Sequence, residues 1–597
     1  MTTDQNYQQI YRVGGMLDAG FVGQITYTIS LDQVYDELDI HFSFDKRLYS
    51  ESDVTPELID RLQTLCTAKY DAPTYPVEEF RQTILHEMKT EIHTMAELND
   101  DFIGCIHRQL TDRHMLYTKE FTSDGCLAQD TFSGVLKVTV LVFNVLLDNT
   151  QYTLTVSGHP VGHGVIAPNF NLMDTVKTAA GNTGASNDAG SADNSCEAES
   201  VPASAVAMAG SSGVSGAGSA ATAGDSSTTG SSSAGNTVTA STRFKRLELH
   251  NHTVESDGSL TCQELTEYLA ADHVDAFAIT DHNTTSGQKK IEQLLEEKHY
   301  PISLIRGMEY TTYFGHILCL NLAKYVPWNS IDQHRPELLF EAAREKGALV
   351  GIAHPFSYGD PFARGCRFEM TISDYSKVDF IEIFNNPEPL HEVNERGTNL
   401  WMSLIFSGYQ ITATSGMDLH NRAKLAGCYA TYIEGKNGGN IASELDTAIH
   451  THRTWVSKGA LLLTEVLPET NELLLTFTDA HKPGFSVPKT AQVVLKGKDK
   501  TFTTSVSLDK PVRVSLNQLS GTDPIIPLLY EAPGTNSAAV VSNATHVAAS
   551  TSCGNAADTS SAAATAALNA AAGQLEEIDT LPAIEGLLCV SPVLYRD

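Results

Sequence analysis

The sequence has no CxxC pair, no uncharged apolar run of membrane-spanning length and too few basic residues to balance its acidic ones. Each shortage excludes something. The ten cysteines lie far apart, which removes thiolate zinc centres and disulfide frameworks and leaves most of them as small buried apolar residues. That usage suits a reducing, cytoplasmic setting. The longest apolar stretch, VLKVTVLVFNVLL from Val135 to Leu147, contains Lys137 and falls short of the ~20 residues of a membrane helix. It predicts a buried strand and no membrane partner. The opening MTTDQNYQQIYRVGG lacks the charged start and apolar run of an export signal. With 40 Lys and Arg against 72 Asp and Glu the net charge is −32, so the summed field repels polyanions and nucleic acid is not an expected partner. G-x-S-x-G and P-loop motifs are also missing, which removes acyl-serine and nucleotide-triphosphate chemistry. Nothing in the sequence specifies an oligomeric state.

At roughly 100 to 200 residues per domain, 597 residues predict three or four domains. From about Thr175 to Ser241 the chain is Gly, Ser, Ala, Thr and Asn with almost no large apolar residue, and such composition cannot offset its own ordering entropy. A second Ala- and Ser-rich stretch runs from about 534 to 572. The expected organisation is an N-terminal β-rich domain over 1–172, a linker over 173–242, a central domain over 243–460 and a β appendage over 461–597.

In the first domain QITYTISL, ELDIHFSF, VLKVTVLVF and QYTLTVSG alternate apolar and polar residues, the period of half-buried strands. They predict a β-sandwich, interrupted by a helical element from Val77 to Leu110. The linker implies a tethered module that touches the central domain only loosely. After the linker, LELHNH, DAFAITDHN, ISLIRGMEY, HILCLNL, GALVGIAHP, DFIEIFN and QITATSGMDLH read as strands with helices between them. Repeated βα units predict an α/β fold with a parallel sheet, long enough to close as a barrel. Thr261 with Glu264 fits a capping box, and Gly347 a helix stop.

Nearly every strand of this region ends on a residue able to bind a cation: His250 and His252, Asp281 and His282, Glu309, His354, then Asp418 and His420. In βα barrels the C-terminal strand ends converge on one face. Imidazole with carboxylate suits Zn, Mn or Fe, whereas calcium takes oxygen alone. More donors are present than one zinc ion accepts, so two or three divalent ions per chain are expected. The other histidines serve as contrast. His450 and His452 form a second HxH, but on a helical pattern where i and i+2 point apart. They, with His159, His163, His273, His299 and His391, are expected at the surface or as helix caps.

The ordered motifs LHNHTVESDG, AITDHN, GMEYTTYFGH, AHP and SGMDLH resemble those of the PHP (polymerase and histidinol phosphatase) superfamily. The GxExTT motif, the following GH and an IExxN segment resemble the CehA/McbA-type metallohydrolases within it. The resemblance covers about Leu247 to Glu434 and implies a distorted (β/α)7 barrel. It implies that His250, His252, Glu309 and Asp418 hold one metal, with Glu309 bridging to a second held by His316 and His354. Asp257, His282 and His420 would complete a third position, Asp257 standing where some relatives have histidine. Asp281 is expected to orient His282 or a neighbouring ligand, or else to cap a turn. Asn385 would touch substrate or shape a turn.

The function these features predict is a metal-dependent hydrolase acting on a small molecule, in which a metal-bridged hydroxide attacks a phosphate ester. Arg364, Arg367 and Arg422 follow strand ends, where they would bind oxyanions or remain solvated loop charges. Carboxyl-ester, amide or carbamate hydrolysis is the rival chemistry, and a non-catalytic scaffold is the rival class.

Overall fold

The computed structural model describes residues 7–70, 76–108, 110–146, 149–161, 242–329, 331–385, 392–519, 521, 523–533 and 584–595. The expected linker, except for Thr242, and the Ala- and Ser-rich stretch lie outside the described residues, as do His163 and His391.

Strands β1 (Gln8–Leu17), β2 (Gly23–Phe44), β3 (Glu91–Leu98), β4 (Asp101–Ile106), β5 (Asp112–Tyr117), β6 (Phe132–Asn144) and β7 (Thr150–Pro160) form one antiparallel sheet in the order β1-β7-β2-β6-β3-β4, with β5 also on β2. QITYTISL and ELDIHFSF are halves of the single strand β2. Its register shifts between Leu31 and Tyr35, the first half pairing mainly with β6 and the second with β7 and β5. Alternation does the positioning here: Leu38, Ile40, Phe42 and Phe44 are buried while His41 between them is not.

The helix expected over Val77–Leu110 ends early. Helices α1 (Pro56–Tyr70) and α2 (Val77–Glu87) precede β3 and β4, and the segment from Glu91 to Ile106 is a hairpin. Asn99 and Asp100 have φ of 53° and 69°, the backbone of a two-residue type I′ turn, for which Asn and Asp are suited.

The second part begins with β8 (Thr242–Glu248), α3 (Cys262–Ala271), β9 (Ala276–Ile279), α4 (Ser286–Lys298), β10 (Ser303–Thr312) and β11 (Gly315–Leu320). It continues through α5 (Glu337–Glu345), β12 (Leu349–Ile352), β13 (Phe380–Phe384), α6 (Glu392–Phe406), β14 (Thr412–Ser415), β15 (Ala430–Lys436), α7 (Ile441–His450) and β16 (Thr454–Ser457). Thr261 and Glu264 make both hydrogen bonds of the capping box, and Gly347 follows α5 at φ 81°. β8, β9 and β10 are parallel, as are β12, β13 and β14. Between these runs β11 is antiparallel to both neighbours, so the sheet is mixed rather than parallel. The link from Thr312 to Gly315 is too short for a crossover helix, which leaves a hairpin as its only solution. Ser415 on β14 and Thr431 on β15 exchange two hydrogen bonds, of 2.8 and 3.0 Å.

β17 (Ala460–Leu467), β18 (Glu472–Asp479) and β21 (Val512–Ser515) form a three-stranded sheet. β19 (Thr490–Lys496), β20 (Thr501–Ser507), β22 (Ile526–Glu531) and β23 (Leu587–Val590) extend the large sheet beyond β16, giving it 13 strands. The protein is thus a mixed α/β molecule.

The first sheet is no loosely tethered module. Met95, Cys105, Leu141 and Phe143 belong to the same buried cluster as Met308, Tyr310, Tyr313 and Ile317, and Tyr313 donates to the Gly23 carbonyl at 2.9 Å. The expectation failed because β3 and the second half of β6 are buried on both faces, which neither the helical period read for the one nor the alternation read for the other reveals. Among the described residues no helix is long and apolar enough to cross a membrane.

Candidate metal centre

The chemistry-bearing side chains stand where strands end. His250 and His252 follow β8, His282 follows β9, Glu309 lies within β10, His316 opens β11, His354 follows β12, and Asp418 and His420 follow β14. Two short pairings tie these ends together, Asn251 with Leu419 and His282 with Glu309. His354 and Asp418 have φ of 24° and 49°, a region that non-glycine residues enter at a cost of about 1–3 kcal/mol. The chain between them and the site is equally tight: a Cβ on Gly416 would lie 2.5 Å from that of His250.

Glu309, fully buried, is the hub. Its Oε2 lies 3.1 Å from His250 Nε2, 3.3 Å from His252 Nε2 and 2.9 Å from His282 Nδ1. Its Oε1 lies 2.8 Å from His316 Nδ1 and 3.0 Å from His354 Nε2. Asp418 Oδ1 stands 3.4 Å from His250 Nε2 and 3.0 Å from His252 Nε2. Asp257 Oδ1 lies 3.3 Å from His420 Nε2 and 3.6 Å from His282 Nε2.

Among the described residues five donor sets each lie within 4.8 Å, two of them being Glu91, His93 and His107, and His41, Asp112 and His114. Three are at this centre: His250, His252, Glu309 and Asp418; His252, Asp257, His282 and His420; and His282, Glu309 and His316. Several of these atoms approach closely yet make no hydrogen bond, among them His250 Nε2, His252 Nε2, His316 Nε2, Glu309 Oε2, Asp257 Oδ1 and Asp418 Oδ1. Leaving so many buried polar atoms unmatched would cost about 1–3 kcal/mol each. Donors that share a tetrahedral ion at about 2.1 Å stand about 3.4 Å from one another. The observed spacings match that arrangement, so the residues fit divalent cations.

The electrostatics of the carboxylates agree. For Glu309 burial opposes ionisation, but His250, His316 and His282 outweigh it and hold the carboxyl well below its usual range. Asp257 and Asp418 are likewise held low against burial by neighbouring imidazoles. Burial, reinforced by His282 and His420, drops His252 to about 3. Burial and then His107 bring His282 to about 4. His250, His354 and His420 move the other way: burial is outweighed by Glu309 for the first two and by Asp257 for the third, which raise them, His420 to about 10. The carboxylates are thus in the ionised state that ligation requires, and a cation would take the place of those imidazolium protons.

The residues around the donors differ from expectation in part. Asp281 reaches no imidazole. It accepts from Thr253 N, Thr253 Oγ1 and Ser256 Oγ at 2.7, 2.8 and 2.7 Å, holding the loop that carries His252 and Asp257. Asn385 donates from Nδ2 to Glu382 Oε2 at 2.9 Å. Arg364 pairs with Asp360, Arg367 lies over the Tyr70 and Phe356 rings, and Arg422 over Tyr268. Of the contrast histidines, His450, His273 and His299 are exposed, His299 capping α4. His159 bonds Asp36, and His452 is half-buried with Thr412 as its partner.

Two groups escaped the sequence reading. Glu382 on β13 takes His250 Nδ1 at 3.1 Å and the His354 backbone N–H at 3.0 Å. Its signal was the IExxN segment. His107 comes from the N-terminal sheet, its Nε2 3.3 Å from Asp257 Oδ2, and no spacing pattern announces it.

Residues 7–160 match a family described only as a family of unknown function, DUF6669. An uncharacterized protein of Methanocaldococcus jannaschii is 30% identical over 112 residues, 19% of this chain and 58% of that one. A 5′-3′ exoribonuclease of Haemophilus influenzae is 36% identical over 141 residues, 22% of this chain and 50% of that one. The chain thus spans about half the length of these two relatives. Among solved structures, a two-domain protein of Bacteroides vulgatus containing a predicted PHP-like metal-dependent phosphoesterase is similar over 48% of this chain and 90% of that one, at 16% identity and a TM-score of 0.30.

Proposed function

We propose that this protein is a metal-dependent hydrolase of the PHP type, acting on a small phosphate ester at the Glu309 centre. The observation that carries the proposal is the gathering of nine histidine and carboxylate side chains around Glu309, Asp418 and Asp257. On this proposal the run from β8 to β14 is a distorted (β/α)7 barrel, with β15 paired to β8 and bonded to β14 through Ser415 and Thr431. His250, His252, Glu309, Asp418, His316, His354, Asp257, His282 and His420 are then ligands of two or three Zn, Mn or Fe ions.

Bound there, the cations would lower the pKa of a water and polarise the ester oxygen. The protein's part is to hold its donors still. Glu382 accepts the Nδ1–H of His250 and so leaves Nε2 with its lone pair toward Glu309 and Asp418, the tautomer a ligand needs. The Cys366 carbonyl does the same for His354 at 3.2 Å, leaving Nε2 toward Glu309. Glu309 turns one oxygen to each neighbouring imidazole group and so spans two positions.

Phosphate rather than carboxyl chemistry is favoured by the relative whose name declares an exoribonuclease, an enzyme of phosphodiesters. The net charge of −32 disfavours a long polyanion, hence a small ester. Protein purified without chelator should carry at least one equivalent of Mn, Fe or Zn by elemental analysis. It should cleave p-nitrophenyl phosphate faster than p-nitrophenyl acetate, and His250→Ala should abolish this. A metal-free protein, or a His250→Ala variant as active as the parent, would overturn the reading. Faster cleavage of the acetate would transfer it to the carboxyl-ester class.

A further inference from the structure

Asp257 has two carboxylate oxygens with different surroundings. Oδ1 is buried without a hydrogen bond and faces His282 and His420. Oδ2 faces His107 Nε2 at 3.3 Å. His107 is buried and is not part of the α/β half of the molecule. It follows β4 of the N-terminal sheet, and its ring lies between two others, 4.0 Å from His93 and 4.2 Å from His282 by ring centroids. His93 is in turn fixed by Glu91, Nε2 to Oε1 at 3.1 Å.

The same sheet grips the rest of the loop that carries Asp257. Arg108 donates to the Gly258 carbonyl at 3.2 Å, and Gly125 N donates to Glu255 Oε2 at 3.0 Å. The Gly125 carbonyl accepts from Thr284 Oγ1 at 2.9 Å. Gly125 is required there, since at φ 80° a Cβ would meet the Cys105 carbonyl oxygen at 2.3 Å. Asp281 and Ser286 hold the loop from the opposite side. A segment clamped from two sides, with one carboxylate oxygen engaged and the other aimed at two imidazoles, has the form of a donor fixed by an outer partner.

We infer that the N-terminal sheet is a working part of the metal centre, His107 being the positioning residue that turns Asp257 Oδ1 toward a cation shared with His282 and His420. The inference rests on the proposed metal-centre reading. It gives residues 7–160, matched only to a family of unknown function, a definite role in assembling one cation position across two sheets.

The test is a Mn²⁺ titration of chelator-stripped full-length protein, read by calorimetry and by the spin resonance of free Mn²⁺. Parent, His250→Ala, Asp257→Ala, His107→Ala and His107→Gln are compared, with circular dichroism melts as folding controls. Asp257→Ala identifies the binding class that belongs to this position. His107→Ala should weaken that same class about 10- to 100-fold and spare the class lost in His250→Ala. Glutamine, whose amide N–H also reaches a carboxylate, should restore most of it, and it carries the test if the alanine variant does not fold. An unchanged Asp257 class in His107→Ala overturns the inference. So does uniform loss of both classes in His107→Gln, or an Asp257→Ala variant that binds as the parent does. A parent that binds no Mn²⁺ instead overturns the metal-centre reading beneath it.

Discussion

Replacing Glu382 by glutamine keeps the shape of a fully buried side chain and changes only what it can accept. Oε2 receives His354 N and Asn385 Nδ2, while His250 Nδ1 lies nearer Oε1, at 3.1 Å, than Oε2, at 3.3 Å. The amide oxygen of the glutamine does best facing the two donors, which places its NH2 against His250. Two donors cannot share that contact. The ring relieves it by moving its proton to Nε2, and the lone pair that faces Glu309 and Asp418 is lost. The expected effect is that of removing an outer partner of a ligating histidine, about 10- to 100-fold in cation affinity or about 1.4 to 2.8 kcal/mol. Competition of Mn²⁺ against a chromophoric chelator measures it, with a melt to show that the fold survives. An E382Q protein that folds and binds Mn²⁺ as tightly as the parent would refute the reasoning, because His250 would then need no fixed tautomer.

Two further outcomes follow from the packing. Asp281→Ala strands the Thr253 N–H and Ser256 hydroxyl, and should lower stability by about 2–4 kcal/mol in a denaturant titration; turnover lost with stability unchanged would mean that Asp281 has a direct chemical role after all. Phe143→Ala removes a buried ring 4.6 Å from Tyr313 and should cost about 3–5 kcal/mol in the same experiment, whereas a cost below about 1 kcal/mol would show that the first sheet and the second share no core.

Seven of the nine donors were legible because a strand end is a place that sequence marks well: a short apolar run stops, and a histidine or acid stands at the stop. Parallel strands then bring the stops together without any further information. Asp257 and His316 came only from the family resemblance. Glu382 was harder, since β13 is buried on both faces and its apolar run does not show that the one acid in it faces His250. EIHTMAEL was misread as helix for a related reason. Glu91, His93 and Thr94 are polar yet buried, so the alternation that betrays a half-solvated strand was erased. His107 was invisible in principle, because its partner Asp257 lies in a loop of the α/β half and no periodicity links them. The β10–β11 hairpin was hidden by its tightness, with only Tyr313 and Phe314 between the strands.

Strand β23 lies between β16 and β22 in the large sheet, although residues 532–586 separate it from β22 in the chain. Until residues 587–590 emerge from the ribosome, β16 and β22 each keep a row of unanswered backbone groups. Nascent chains at that stage carry two sticky seams, one of them on the strand that adjoins β15. Any truncation upstream of Leu587 would freeze the polypeptide in that state and invite intermolecular pairing. Four residues late in the chain therefore decide whether β16 and β22 are joined in one sheet or left as two edges.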